Sequence, residues 1–198
     1  MKRLLFLFWF TAALAGAQFG GVWPDPKSPG SPNAPVTIEI FSDFQCQHCA
    51  KLHMETLKAA MADCVAKGQV RLIHRDYPLE QHKFARLAAR YANAAAQIGR
   101  YEKVCDQLFS LQEEWGIKGN VDQVVSRVLT PAEMVQIRKL ISVPGAEKTI
   151  DRDLALGNMI PLEVTPTMVV KAKNKTYPIS GAVTYPILKR FIDSLIAN

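Results

Sequence analysis

The apolar positions of the chain change period along its length, and each change predicts an element. Val36-Thr37-Ile38-Glu39-Ile40-Phe41 is rich in β-branched residues and closes on apolar ones, the composition of a strand. From Cys46 onward, Ala50, Met54, Leu57, Met61 and Cys64 recur at spacings of four, three, four and three, which predicts a helix with one buried stripe and turns Cys64 inward. Gly68 closes that helix. Val70-Arg71-Leu72-Ile73-His74 then reads as a second strand, and Asp76-Tyr77-Pro78 turns the chain. A strand, a helix and a strand in this order make a βαβ unit with parallel pairing.

From about 81 to 158 the period is helical. Phe84, Leu87, Ala88, Tyr91 and Ala95 form one stripe, Tyr101, Val104, Cys105, Leu108 and Gln112 a second, and Val121, Val124, Val125 and Val128 a short third. Thr130-Pro131-Ala132-Glu133 predicts the next helix start, with a capping hydroxyl, a proline suited to the first turn and a glutamate able to reach back to the cap N–H. That helix carries Met134, Ile137 and Ile141, and another follows Gly145. After Pro161, Thr167-Met168-Val169-Val170 and Thr176-Tyr177-Pro178-Ile179 flank Lys173-Asn174-Lys175 and predict a hairpin. Thr184 caps a last helix, with Pro186 in its first turn and Ile187, Leu188, Phe191, Ile192 and Leu195 as its stripe. The class is α/β with a large helical insertion. There is no internal repeat.

The N-terminus changes the setting. Met1-Lys2-Arg3, the apolar run Leu4 to Leu14 and Ala15-Gly16-Ala17 read as a secretory signal peptide spanning 1–17, with cleavage after Ala17. The run is shorter than the roughly 20 residues of a membrane-spanning helix, so stable membrane insertion is not expected. No cysteine follows the cleavage site to accept a lipid. Residues 18–35 hold Pro24, Pro26, Pro29, Pro32 and Pro35 and read as an extended leader outside the core, so that the folded domain runs from 36 to 198. The chain of 198 residues carries a formal charge of +6, which falls to +4 without Lys2 and Arg3. No run of five or more like charges and no interleaving of aromatics with Arg or Lys is present, so a nucleic-acid partner is not expected.

Four cysteines remain after cleavage: Cys46, Cys49, Cys64 and Cys105. An even count in an exported chain allows two disulfides, and the compartment permits them. Cys46-Gln47-His48-Cys49 sits between a strand and a helix start. There the leading sulfur meets unpaired N–H groups and the positive end of the helix dipole, which favour its thiolate. Redox chemistry is the reading this placement favours. A metal clip is the other use of the spacing, with His48 and His53 close in sequence, but a structural zinc site needs four converging ligands and there is no second CxxC or HxxxH. Haem attachment fails because Ala50, not His, follows Cys49.

Taken in order, Phe41-Ser42-Asp43-Phe44-Gln45-Cys46-Gln47-His48-Cys49, Arg75-Asp76-Tyr77-Pro78-Leu79 with His82, and Val164-Thr165-Pro166-Thr167 resemble the DsbA-like thiol-disulfide oxidoreductases. These have a thioredoxin-like fold, a central mixed sheet flanked by helices, with an inserted helical subdomain. The resemblance runs from Val36 to the C-terminus. It implies that Cys46 is the nucleophile and Cys49 the resolving cysteine, and that His48 assists the thiolate, as in strongly oxidising relatives. It makes Thr165-Pro166 a cis-proline loop facing the cysteines and offering backbone hydrogen bonds to an extended substrate. It further implies reduced or unfolded exported proteins as substrates, a quinone-linked membrane reoxidant of the DsbB or vitamin K epoxide reductase type, a periplasmic or secreted location and no cofactor. A reductase or isomerase on the same fold, a peptide-binding module and a metal carrier are the alternatives.

Two departures accompany the resemblance. Gln47 replaces the proline common in relatives. Ile40 stands where relatives often place a buried carboxylate that takes the resolving thiol's proton; the adjacent Glu39 points to the opposite face of the strand, which leaves a water or Asp43 for that role. Cys64 and Cys105 lie on inward stripes of two predicted helices, one in the core and one in the insertion. A disulfide between them would staple the two and close a loop of about 42 residues, worth about 4 kcal/mol in the chain-entropy model. Two separate buried thiols are the alternative.

Overall fold

The computed structural model describes residues 25–160 and 162–197. The predicted signal peptide and the start of the leader lie outside them. Among the described residues no helix is long and apolar enough to cross a membrane.

Strand β1 (Val36–Ser42) is the centre of the site's support. Val36, Ile38 and Ile40 alternate inward and are essentially inaccessible to solvent, as a half-period of two demands. β1 pairs in parallel with β2 (Val70–Asp76) and antiparallel with β3 (Thr167–Ala172), which pairs antiparallel with β4 (Lys175–Ser180), giving the order β2-β1-β3-β4. The β3–β4 hairpin turns through Lys173 and Asn174, both at positive φ (48° and 61°), the conformation a two-residue hairpin loop requires. The predicted βαβ unit and hairpin are both present.

Helix α1 runs unbroken over residues 47–65, with two wide, π-type stretches at Leu52–Leu57 and Met61–Val65. Its predicted single stripe needs correcting. Met54 is exposed, whereas Leu52, His53, Thr56, Leu57, Ala60, Cys64 and Val65 are buried. Two physical causes combine. The i→i+5 turns shift the periodicity, and the helix is covered on two sides. Leu52, Leu57, Ala60, Cys64 and Val65 join the sheet core, while Cys49 belongs to a second core formed with the insertion.

The insertion comprises α2 (Ala85–Gln97), α3 (Tyr101–Ser110), α4 (Gln112–Trp115), α5 (Val121–Val125), α6 (Pro131–Ser142) and α7 (Lys148–Asn158). Its core is built from Ala88, Ala92, Ala95, Val104, Leu108, Trp115, Val121, Val124 and Ile137. α6 starts with the expected capping box, Thr130 Oγ1 accepting from Glu133 N at 3.2 Å and the Glu133 carboxylate from Thr130 N at 2.8 Å. The closing helix α8 (Tyr185–Ala197) buries Leu188 and Ile192 against the sheet, and leaves Ile187 half exposed.

The leader departs most from expectation. Its described part is docked along the outer edge of β2: His74 N–H donates to Lys27 O at 2.8 Å and Leu72 N–H to Pro29 O at 2.9 Å. Gly30, at φ 108°, lies so close that a Cβ there would come 2.4 Å from Val70 O. Lys27 is buried and its ammonium meets Asp76 at 2.5 Å and Asp153 at 3.3 Å. Prolines that remove donors still offer carbonyls, and these cover an edge strand that would otherwise expose its ladder.

Candidate active site

The loop Asp43–Gln45 delivers the chain from β1 to α1, and Cys46 is the N-cap residue, extended at φ −81° and ψ 120°. Its carbonyl accepts the first helical bonds from Cys49 N (3.0 Å) and Ala50 N (3.1 Å). Cys46 is 9% exposed and Cys49 1%. All four cysteines are free thiols in this structure.

The environments push the two thiols apart. A hydrogen bond from the Cys49 thiol does most to lower the Cys46 pKa to about 5, against burial, and the Thr165 side chain and the backbone N–H groups of Cys49 and His48 add to it. Burial, followed by the hydrogen bond and charge of Cys46, holds Cys49 well above the usual thiol range. The Asp43 amide donates to Cys49 Sγ at 3.4 Å.

Thr165-Pro166 is a cis peptide bond, and it faces the pair as expected: the Cys46 thiol donates to Thr165 O at 3.3 Å. Pro166 is buried, and its carbonyl is taken by Gly181 N at 2.8 Å. The Thr165 hydroxyl is buried without a hydrogen-bond partner. Beside this loop lies a groove of ≈ 370 Å³ lined by His48, Lys51, Glu55, Val164, Thr165 and Val183. The exposed His48 thus contributes its backbone N–H to Cys46 and its side chain to the groove wall.

Other candidates fall elsewhere. Glu39 accepts from Arg75 Nε at 3.0 Å and from Lys171, and so is committed to surface charge pairing. The Asp43 carboxylate is occupied by three donors, Gln45 N (2.6 Å), Leu79 N (2.7 Å) and His82 Nδ1 (2.8 Å). His53 pairs with Asp106 at 2.7 Å beneath Phe109 and does not join His48. Among the described residues no group of three or more His, Cys, Asp or Glu is placed to hold a metal ion. Cys64 and Cys105 are brought into different surroundings, which corrects the expected staple. Cys64 lies in the sheet core, 3.8 Å from Tyr185 Oη, and Cys105 in the insertion core beside Tyr101. Facing inward from a helix that separates two cores does not mean facing the same core.

Two glutamines were not visible as site residues in the sequence. Gln112 at the start of α4 donates to the carbonyls of Phe44 and, at 3.0 Å, Cys46. Gln45 donates to Gly116 O at 3.0 Å and accepts from Phe84 N. The loop before Cys46 is therefore stitched to the insertion at both ends. No local pattern marks such pairs; only the polar type at the end of a predicted stripe, Gln112, was a hint.

A family model described as Thioredoxin matches residues 24–194. The chain belongs to the thioredoxin family. Its fold is DsbA-like, with the helical insertion between β2 and β3. It superposes on alpha-DsbA1 of Wolbachia pipientis with a TM-score of 0.71 at 20% identity, covering 85% of this chain and 89% of that one. BdbD of Bacillus subtilis gives 0.71 at 20% identity, covering 87% and 93%. A thioredoxin-like oxidoreductase of Silicibacter pomeroyi DSS-3 gives 0.69 at 27% identity, covering 88% and 95%. Among curated proteins, Na(+)/H(+) antiporter NhaA 1 of Mycolicibacterium gilvum is 27% identical over 160 residues, 77% of this chain. The thioredoxin-family chain spans only about a quarter of that antiporter's length, 24%.

Proposed function

We propose that this protein is an exported thiol-disulfide oxidase, which donates a Cys46–Cys49 disulfide to reduced cysteines of exported proteins in the periplasm or outside the cell. The observation that carries the reading is the asymmetry of the pair, with Cys46 brought down to about 5 and Cys49 pushed up. A stabilised Cys46 thiolate favours the reduced protein, which makes its disulfide the stronger oxidant.

In this reading a substrate thiolate attacks Cys46 Sγ, the less buried sulfur, and the Cys46–Cys49 bond breaks with its electron pair leaving on Cys49. A second substrate thiolate then attacks the substrate sulfur of the mixed disulfide, releasing oxidised substrate and the Cys46 thiolate. In the oxidised protein that meets the substrate, Cys46 Sγ is held in the disulfide and has no proton to give to Thr165 O. The freed carbonyl and the groove beside it support docking of an extended segment, by the backbone pairing that strand-like peptides use. Return to the disulfide needs an external two-electron acceptor, and a quinone-linked membrane oxidase of the DsbB or vitamin K epoxide reductase type fits that need.

The test is equilibration with glutathione buffers. The oxidase reading expects a potential well above the roughly −270 mV of thioredoxin. A value near that figure assigns the protein to disulfide reduction or isomerisation instead. If Cys46→Ser keeps biological activity, the groove acts as a binding module and the redox reading fails.

A further inference from the structure

Asp43 touches both active-site cysteines through its backbone. Its N–H donates to Cys49 Sγ at 3.4 Å and its carbonyl accepts from Cys46 N at 3.1 Å. Its side chain is fully buried and anchored by three donors, of which two are backbone amides on either side of it, Gln45 N and Leu79 N. The third is a side chain. His82 Nδ1 reaches Asp43 Oδ2 at 2.8 Å from a position 26% open to solvent. A carboxylate only accepts, so the ring nitrogen facing it is the one that bears the proton.

Opening the disulfide requires Cys49 to depart as a thiolate inside the core, where it is 1% exposed. A buried anion is costly unless donors are already aimed at it, and fixed donors act without reorganising during the reaction. The Asp43 amide is such a donor, and the Ser42 side chain is the other group that favours the Cys49 anion. The amide can be fixed only as firmly as the residue that carries it.

We infer that His82 is a positioning residue for cleavage of the Cys46–Cys49 disulfide: through Asp43 it holds the amide that receives the departing Cys49 thiolate. The inference rests on the pair being redox active, and it holds for donation or reduction alike. In the step concerned, a thiolate forms a bond to Cys46 Sγ and the Cys46–Cys49 bond breaks. Its electron pair goes to Cys49, which then takes from solvent the proton that the attacking thiol had released there.

Oxidised protein is mixed with excess dithiothreitol and opening of the disulfide is followed by rapid acid quench and mass spectrometry. Alkylation of Cys46 by iodoacetamide in the reduced protein is measured alongside, because it reads the nucleophile and not the leaving group. His82→Phe keeps a ring without the donor and is expected to slow opening roughly three- to tenfold, the size of one lost buried hydrogen bond. Cys46 alkylation stays within about twofold of wild type, and His82→Asn, whose amide reaches the same place, restores opening. The inference is overturned if opening is unchanged in His82→Phe, if opening and alkylation fall together, or if His82→Asn is as slow as His82→Phe. His82→Gln, with its amide one bond further out, is scored the same way and expected between the two, so a folding failure of the Phe variant leaves the test intact. A wild-type disulfide that dithiothreitol does not open would overturn the redox reading itself.

Discussion

The Cys46 thiol donates to the carbonyl oxygen of Thr165 at 3.3 Å, joining the head of α1 to the residue before the cis proline. The contact is specific to the thiol, because a thiolate has no proton to give. When Cys46 ionises, the carbonyl is released, and the neighbouring Thr165 hydroxyl, buried with no partner of its own, adds to the Cys49 thiol and the backbone N–H groups of Cys49 and His48 in favouring the thiolate. One residue thus serves both protonation states, by its carbonyl in one and its hydroxyl in the other.

The depressed Cys46 pKa has a signed consequence for stability. Below about pH 5 both the folded and the unfolded reduced chain hold a thiol at this position, and the group contributes nothing. Between about 5 and the ordinary value of 9.0 the folded protein holds a thiolate where the unfolded chain holds a thiol, so stability of the reduced form rises with pH and is lost again as pH falls through about 5. The oxidised protein has no thiol to titrate. The difference in melting temperature, reduced minus oxidised, should therefore climb from pH 5 to pH 8 and lie flat below; the melting temperature of Cys46→Ser, which forms no such disulfide, minus that of oxidised wild type should stay flat over the same range. Thiolate absorbance against pH gives the same inflection directly.

Thr165→Val keeps the shape of the side chain and deletes the hydroxyl. A hydrogen bond to a charged group is worth about 1.5–3 kcal/mol net, and a sulfur acceptor belongs at the lower end, so the Cys46 pKa should rise from about 5 by roughly one unit. The disulfide should become less oxidising by about 30 mV. Thr165→Ser, which restores a donor, should behave as wild type. A Thr165→Val protein with an unmoved thiolate titration would show that the hydroxyl does not reach the sulfur.

Lys27 links the leader to the fold through charges that water does not screen. Its side chain is 8% exposed, and its ammonium lies between Asp76 and a fully buried Asp153. Removing one member of a buried ion pair costs about 3–5 kcal/mol, because the partner is left uncompensated. Asp153 keeps Arg75 and Arg152, and Asp76 keeps Asn93, so Lys27→Met belongs at the lower end, about 3 kcal/mol. Urea unfolding of the oxidised forms measures it. Limited proteolysis should begin to cut between residues 25 and 35 in the variant and spare wild type.

What the chain disclosed in advance was what neighbours in sequence decide. The alternation of Val36, Ile38 and Ile40 and the capping box of Thr130 and Glu133 each carry their instruction within a few residues, whereas the cis form of Thr165-Pro166 was legible only through the family resemblance. What stayed hidden depends on partners far apart. His82 and Asp43 are 39 residues apart, Gln112 and Cys46 66, and Lys27 and Asp153 126. The leader misled for a related reason: proline forbids donation to a ladder but not acceptance, and Lys27 and Pro29 accept from β2 by their carbonyls. The single stripe predicted for α1 failed because a helix between two cores has two buried faces, and its wide turns blur the period that would have revealed them.

Cys64 and Cys105 follow the same logic to a measurable end. Each is buried, Cys64 in the sheet core near Tyr185 and Cys105 in the insertion core near Tyr101. Burial pushes both thiols up, which keeps them protonated and unreactive at neutral pH. A Cys46→Ser, Cys49→Ser double variant purified without reductant should therefore take up two alkyl groups per chain once denatured, and react slowly with the same reagent when folded. Uptake of none after denaturation would mean that the two cores are bridged after all. In that case reduction of the double variant should lower its unfolding free energy by about 4 kcal/mol, the entropy of the loop it closes.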